Sequence, residues 1–270
     1  MINMRFLFVF SALMSMFVHS ALAGQRLTLT GSSTIAPLVL EIGKRFEQQN
    51  VGVRVDVQTG GSSRGISDAR TGLADIGMVS RVLHESEADL KAHAIAVDGV
   101  SMVLHRDNNI DTLCNDQIRD IYTGKIRNWR ELGGADQQIT VVNKAEGRST
   151  LELFLAYFGL RNSQIRASVV IGDNQQGIKT IAGNAGAIGY VSIGAAEFVE
   201  YEGAPIKRLR MNGIQASTAQ VRAGSFPLSR PLNLVTAGEP DELAQRFIRF
   251  AQGPDVDDLI ESQFFVPLEH

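Results

Sequence analysis

Apolar residues recur along this chain with two periods, and their succession lays out its elements. Residues 26–30 form a short strand pattern that runs into Gly31. Ile35, Leu38, Val39, Ile42 and Phe46 then fall on one face at helical spacing, which predicts an amphipathic helix. Residues 51–57 alternate strictly between valine and other residues, a half-exposed strand with Asp56 turned outward. Residues 66–70 read as a helix stopped by Gly72, and residues 74–80 as a buried strand. The order β-α-β-α-β predicts a mainly parallel sheet with helices on its faces.

Further along, residues 85–93 read as a polar helix and residues 94–105 as one or two apolar strands. A short helix ends at Gly124, and Trp129, the only tryptophan, reads as a packing anchor whose N–H has a partner. Residues 138–143 form another strand. Leu151, Phe154, Leu155 and Phe158 repeat at helical spacing up to Gly159. The glycine-dense run 183–190 leads into an apolar strand. Two prolines, Pro227 and Pro231, mark residues 225–235 as a connector or edge strand. Two helices, over 240–251 and 254–263, close the chain.

Three Gly/Ser-rich stretches stand where a strand gives way to a helix: Gly31 to Pro37, Thr59 to Gly65 and Glu146 to Thr150. In the first, Ser33 or Thr34 supplies an N-cap oxygen, and Pro37 sits in the first turn, where a missing N–H costs little. A helix start carries unpaired N–H groups and the positive end of the helix dipole, so it can hold an anion. In parallel sheets such loops gather off the carboxyl ends of the strands.

Composition narrows this further. Residues 1–23 carry Arg5 as their only charge and an apolar run from Phe6 to Val18, followed by Ala21-Leu22-Ala23. This is the pattern of a signal peptide cleaved after Ala23, and implies export. The apolar run is short for a bilayer span, which needs about 20 residues. About 250 residues remain, enough for one large domain or two modest lobes. The net charge of −3 gives no reason to expect nucleic acid as a partner. Cys114 is the only cysteine, so no internal disulfide forms. The histidines at 19, 84, 93, 105 and 270 lack ligand-like spacing, and no metal or other cofactor is expected.

Gly61 to Gly65 also fits the hydrolase elbow G-x-S-x-G, with Ser63 as nucleophile and His105 or His270 as base. No His-Gly-Gly-Gly-type oxyanion stretch precedes it, and His270 is the last residue, so the expectation is a protein that is not an enzyme. No Gly-Lys-Ser/Thr follows the glycine loops, which excludes a P-loop.

In combination, several stretches resemble the periplasmic phosphate-binding proteins of ABC transporters: residues 31–37, 60–66, 74–81, 121–129, 186–190 and 226–232. The resemblance covers nearly the whole chain after residue 23. It implies a two-lobed periplasmic-binding fold of type II, each lobe a mixed sheet flanked by helices, with a ligand cleft between them. Lobe one would hold residues 24–103 and 232–270, and lobe two residues 104–231, with crossovers near 102–105 and 230–234. It further implies that a monomer binds inorganic phosphate and delivers it to an ABC permease. A non-transport oxyanion-binding module, such as a scavenger, adhesin or sensor, is the alternative.

Carried over by position, the first loop would contact the anion through Ser33, Thr34 and the backbone of Ile35, and the second through Ser62 or Ser63. The third loop is usually Arg-x-x-Gly-Ser-Gly-Thr in the family. Here Lys144 stands in the arginine's place, Arg148 replaces a serine and Ser149 a glycine, while Thr150 is retained. Well-known members have Ser-Asp where this chain has Ser80-Arg81, and that carboxylate accepts the proton of hydrogen phosphate. With Arg81 there, this filter against sulfate is absent. Arg81 and Arg148 are then expected to clamp anion oxygens, with Glu146 or Asp75 as a replacement acceptor.

Overall fold

A computed structural model describes residues 24–270; the predicted signal peptide lies outside the described residues. In chain order the strands and helices are β1 (Gln25–Gly31), α1 (Ala36–Gln49), β2 (Val53–Thr59), α2 (Ser62–Thr71), β3 (Ile76–Val79), β4 (Leu90–His105), β5 (Thr112–Leu113), α3 (Asn115–Tyr122), β6 (Thr140–Lys144), α4 (Ser149–Phe158), β7 (Val169–Ile171), α5 (Asn174–Ala182), β8 (Ala187–Ser192), α6 (Ile193–Tyr201), β9 (Ile206–Arg208), β10 (Arg210–Met211), β11 (Ile214–Gln215), α7 (Thr218–Arg222), β12 (Ser229–Ala237), α8 (Glu242–Ala251) and α9 (Asp257–Ser262). Among the described residues no helix is long and apolar enough to cross a membrane.

The strands run in the order β2-β1-β3-β12-β4-β8-β6-β7, with β9 also on β4. Strand β4 joins the two halves. Its residues 90–99 pair with β12, and from Val100 to Leu104 it pairs with β8 instead. Each half has its own core. In the first, Leu27, Leu29, Ile42, Phe46, Ile76 and Phe247 pack together, with the Phe46 and Phe247 rings edge-on at 5.3 Å. In the second, Ile118, Tyr122, Trp129, Phe154 and Tyr190 pack together, with the last two aromatic rings stacked at 4.2 Å. Trp129 is 1% exposed and its indole N–H donates to Gly186 O at 3.0 Å, so burial leaves no polar group unpaired. The result is an α/β molecule of two lobes.

Several local expectations change. Residues 85–93 do not form a helix: Glu85–Glu87 make a single 3-10 turn, and β4 begins at Leu90. The run from Leu90 to Lys91 is drawn into the sheet by pairing with Ala237 and Thr236, partners far away in sequence. Strand β12 is central rather than an edge, lying between β3 and β4. Its Pro231 is tolerated because β3 joins only from Asn233 onward, so the proline faces β4 on one side alone. Near the C-terminus α8 starts at Glu242, capped by Asp241, whose carboxylate accepts the Ala244 N–H at 2.8 Å. The last predicted helix is a 3-10 turn over Pro254–Val256 followed by α9.

Candidate functional site

Three helix starts converge where the lobes meet. The loop between β1 and α1 and the start of α2 belong to the first lobe; the end of β6 and the start of α4 belong to the second. Gly31 ends β1 at φ +131°, and a Cβ there would lie 2.3 Å from Met78 O, so only glycine allows this turn. Ser33 and Thr34 do not cap α1. Ile35 takes the N-cap position without a side-chain bond, and the Thr34 N–H donates to Ser32 Oγ at 3.2 Å. The hydroxyls are thereby left for the cleft. Among the described residues, the backbone N–H groups of Ile35, Ser62, Ser149 and Thr150 have no acceptor. Those helices run 14, 10 and 10 residues, long enough to carry a full terminal dipole.

Between these ends lies a small chamber. Ser32, Ser33 and Thr34 line it from the first loop, and Gly61 and Ser62 from the second. Lys144, Arg148, Ser149 and Thr150 line it from the third, and Gly172 from the end of β7. Lys144 and Arg148 are its cations, and no carboxylate lines it. Among the described residues the Arg148 guanidinium donates no hydrogen bond to the protein, which leaves its fork free for an anion. Burial, with Arg230 and Arg148 adding repulsion, pushes the Lys144 amine down to about 7.

Behind the chamber sits a charge pair that the sequence reading did not single out. Arg230 and Asp98 lie opposite each other on β12 and β4, each 2% exposed, with Nη2 2.9 Å from Oδ2. The same guanidinium reaches both lobes: Nη1 donates to Thr150 Oγ1 at 3.0 Å and Nη2 to Thr34 Oγ1 at 3.3 Å. Thr34 Oγ1 also accepts from Asn174 Nδ2 at 3.3 Å. An oxygen accepting two bonds has only its proton left to offer, and Thr34 lines the chamber, so its O–H is set to donate inward. Two signals could have found the pair: Asp98 is the single acidic residue in a long apolar strand, and Arg230 lies in one of the resemblance-bearing stretches.

The Ile35 side chain is in the core of the first lobe, while its backbone N–H, through which contact is expected, is one of the unpartnered groups. The remaining expected site residues stand elsewhere. Ser80 lies behind the chamber, with its hydroxyl 2.6 Å from Ser149 Oγ and its N–H donating to Ser62 Oγ at 3.2 Å. Arg81 does not line the chamber. It forms a bidentate pair with Glu87 at 2.7 and 2.8 Å, and its Nε lies 2.5 Å from Glu152 Oε2. Neither proposed replacement acceptor reaches the chamber: Asp75 accepts the Thr28 N–H at 2.7 Å, and Glu146 accepts from Asn162 at 2.8 Å. Ser63 bridges the lobes, its N–H donating to Gly147 O at 3.3 Å and its hydroxyl to Glu152, not to an imidazole.

Glu152, on α4 of the second lobe, thus meets Arg81, Ser63 and His84 of the first, the last at 3.2 Å. These contacts hold the lobes together at the cleft's rim. The carboxylate is 28% exposed, so water screens part of the attraction. Glu152→Ala is expected to weaken closure by about 1 kcal/mol, roughly fivefold in anion release rate, with little change in association. Stopped-flow fluorescence would measure this, and an unchanged release rate would remove the carboxylate's role in holding the lobes.

A PBP superfamily domain model matches residues 18–255. The phosphate-binding protein PstS of Bacillus subtilis is 31% identical over 251 residues, covering 91% of this chain and 82% of that protein. A structure from Clostridium perfringens, described as a phosphate ABC transporter substrate-binding protein with bound phosphate, superposes with a TM-score of 0.84. It is 30% identical and covers 91% of this chain and all of that one. An ABC-type phosphate transport receptor from Vibrio cholerae gives a TM-score of 0.74 at 28% identity, covering 90% of this chain and all of that one.

Proposed function

This chain belongs to the PstS family of phosphate-binding proteins within the PBP superfamily, and on that premise we propose that it is an exported, non-catalytic receptor for inorganic phosphate. Phosphate binds in the inter-lobe chamber and is handed to an ABC permease when the lobes part. The observation that carries this reading is the convergence of three helix starts with unpartnered N–H groups on a chamber lined by two cations and no carboxylate. Such a chamber offers a tetrahedral dianion donors from every side.

The N–H groups of Ile35, Ser62, Ser149 and Thr150 donate to the anion, and the hydroxyls of Ser33, Thr34, Ser62 and Thr150 complete its shell. Arg148 grips two oxygens, and Lys144 supplies the second positive charge. Ser80, Arg81 and Ser63 act indirectly, by positioning these groups or joining the lobes. Closure moves residues 24–103 with 232–270 against residues 104–231 as a hinge motion. Charge-assisted hydrogen bonds contribute roughly 1.5–3 kcal/mol each, so a few of them reach the ~8 kcal/mol of a micromolar complex after ordering costs.

Calorimetric titration with phosphate near neutral pH tests the reading. Binding at micromolar Kd or tighter is expected, with Arg148→Ala weakening it by about ten- to a hundredfold. Sulfate is expected to compete, because no carboxylate lining the chamber can reject a fully deprotonated anion. Absence of any phosphate heat would overturn the assignment.

A further inference from the structure

Lys144 is the chamber's one primary amine, and its surroundings distinguish it from a surface lysine. It ends β6 and is 3% exposed. Its Nζ donates to Asn174 Oδ1 at 2.8 Å, a neutral acceptor, and it forms no ion pair among the described residues. Titratable and charged groups face it from four elements. Arg148 comes from the loop before α4, and Arg230 from β12, where Asp98 already pairs with it. Asp173 comes from the turn before α5, where its carboxylate accepts the Gln176 N–H at 2.8 Å. Tyr190 comes from β8, and its hydroxyl accepts the Lys144 backbone N–H at 3.3 Å.

We propose that Lys144 is the proton-taking ligand of the chamber, receiving a proton from solvent as the tetrahedral anion enters and holding that anion as an ammonium. This rests on the phosphate-binding reading above. A buried amine among guanidiniums, hydrogen-bonded only to an amide, has little to favour its charged form. A dianion reverses that balance, because its charge attracts the ammonium more than burial and the arginines oppose it. The depressed value of about 7 fixes the sign of the linkage. Below it the ammonium is already present and anion affinity is full; above it each bound anion must bring in a proton, and affinity falls by up to about tenfold per pH unit. An arginine at this position would stay charged throughout and show no such coupling.

The test is calorimetry of the wild type and Lys144→Arg with inorganic phosphate at about pH 8.5, where phosphate is already the dianion, in buffers of different ionisation enthalpy. The wild type is expected to take up about one proton per phosphate and Lys144→Arg about none, with wild-type affinity alone dropping roughly tenfold between about pH 7.5 and 8.5. Tight binding with equal proton counts in both proteins overturns this proposal and leaves phosphate binding standing; no phosphate heat in the wild type removes both. Should Lys144→Arg fail to fold or bind, 13C NMR of lysine Cε in the wild type decides. One lysine is expected to titrate near 7 without phosphate and to stay charged to about pH 9 with it. Ordinary titration of every lysine, around 10.4, overturns the proposal.

Discussion

Replacing Arg230 with alanine is expected to cost the fold about 3–5 kcal/mol and to abolish tight phosphate binding at the same time. The stability loss comes from Asp98, which is 2% exposed and takes its charge-assisted bonds from Arg230 at 2.9 and 3.2 Å. Without the guanidinium its carboxylate keeps the Gly194 N–H at 3.3 Å but loses its counter-charge, and an uncompensated buried charge is costly. The binding loss has a separate origin. Arg230 holds the Thr34 and Thr150 hydroxyls, one from each lobe, so removing it frees Thr150 to rotate away from the anion and leaves Thr34 held by Asn174 alone. Urea unfolding and phosphate calorimetry would separate the two effects. The double variant Asp98→Asn with Arg230→Met is expected to recover most of the stability, because no charge is left unpaired, and little of the affinity. If Arg230→Ala unfolds at the wild-type urea concentration, the pair is not holding the crossover strands together.

The second large effect is expected at Gly61. It stands at φ +98°, and a Cβ there would lie 2.5 Å from Gly147 O and 3.0 Å from Arg148 Cδ, both on the opposite lobe. Gly61→Val therefore places a wedge at the seam. Losing even two charge-assisted bonds from the second lobe removes about 3–6 kcal/mol, or roughly 10²- to 10⁴-fold in affinity. The positive φ adds about 1–3 kcal/mol of strain to the folded protein whether or not the lobes meet. Small-angle scattering discriminates the causes: the wild type should contract on adding phosphate, and Gly61→Val should not. Wild-type affinity in this variant would mean that the lobes need not approach as closely as Gly61 and Gly147 do.

Much of the chamber was legible in the chain because its chemistry is local. A strand, a Gly/Ser turn and an amphipathic helix are written in adjacent residues, and each such unit exposes N–H groups at its helix start. Ser33, Thr34, Ser62, Lys144, Arg148, Ser149 and Thr150 all lie in those units and all line the chamber. The misreadings have one source. The end of the polar helix expected over 85–93 belongs to β4, from Leu90, and most of the connector or edge strand expected over 225–235 belongs to β12, from Ser229; the mutual pairing of β4 and β12 joins segments more than a hundred residues apart. Periodicity within a short window carries no information about such a partner.

The two arginines mark where the sequence stops and the tertiary structure decides. Ser80-Arg81 and Ser229-Arg230 look alike, each a serine and an arginine beside an apolar strand. Composition and loop chemistry determined that the chain builds helix starts suited to an anion, since capping and turn preferences depend on neighbours in the chain. Which arginine stands behind the chamber depends on strand order. Insertion of β12 between β3 and β4 sets Arg230 opposite Asp98, 132 residues away, with its guanidinium against Thr34 and Thr150. Arg81, two residues past the end of β3, is claimed instead by Glu87 and Glu152. A guanidinium buried in low dielectric must lie beside the carboxylate that balances it, and only the assembled sheet determines which carboxylate that is.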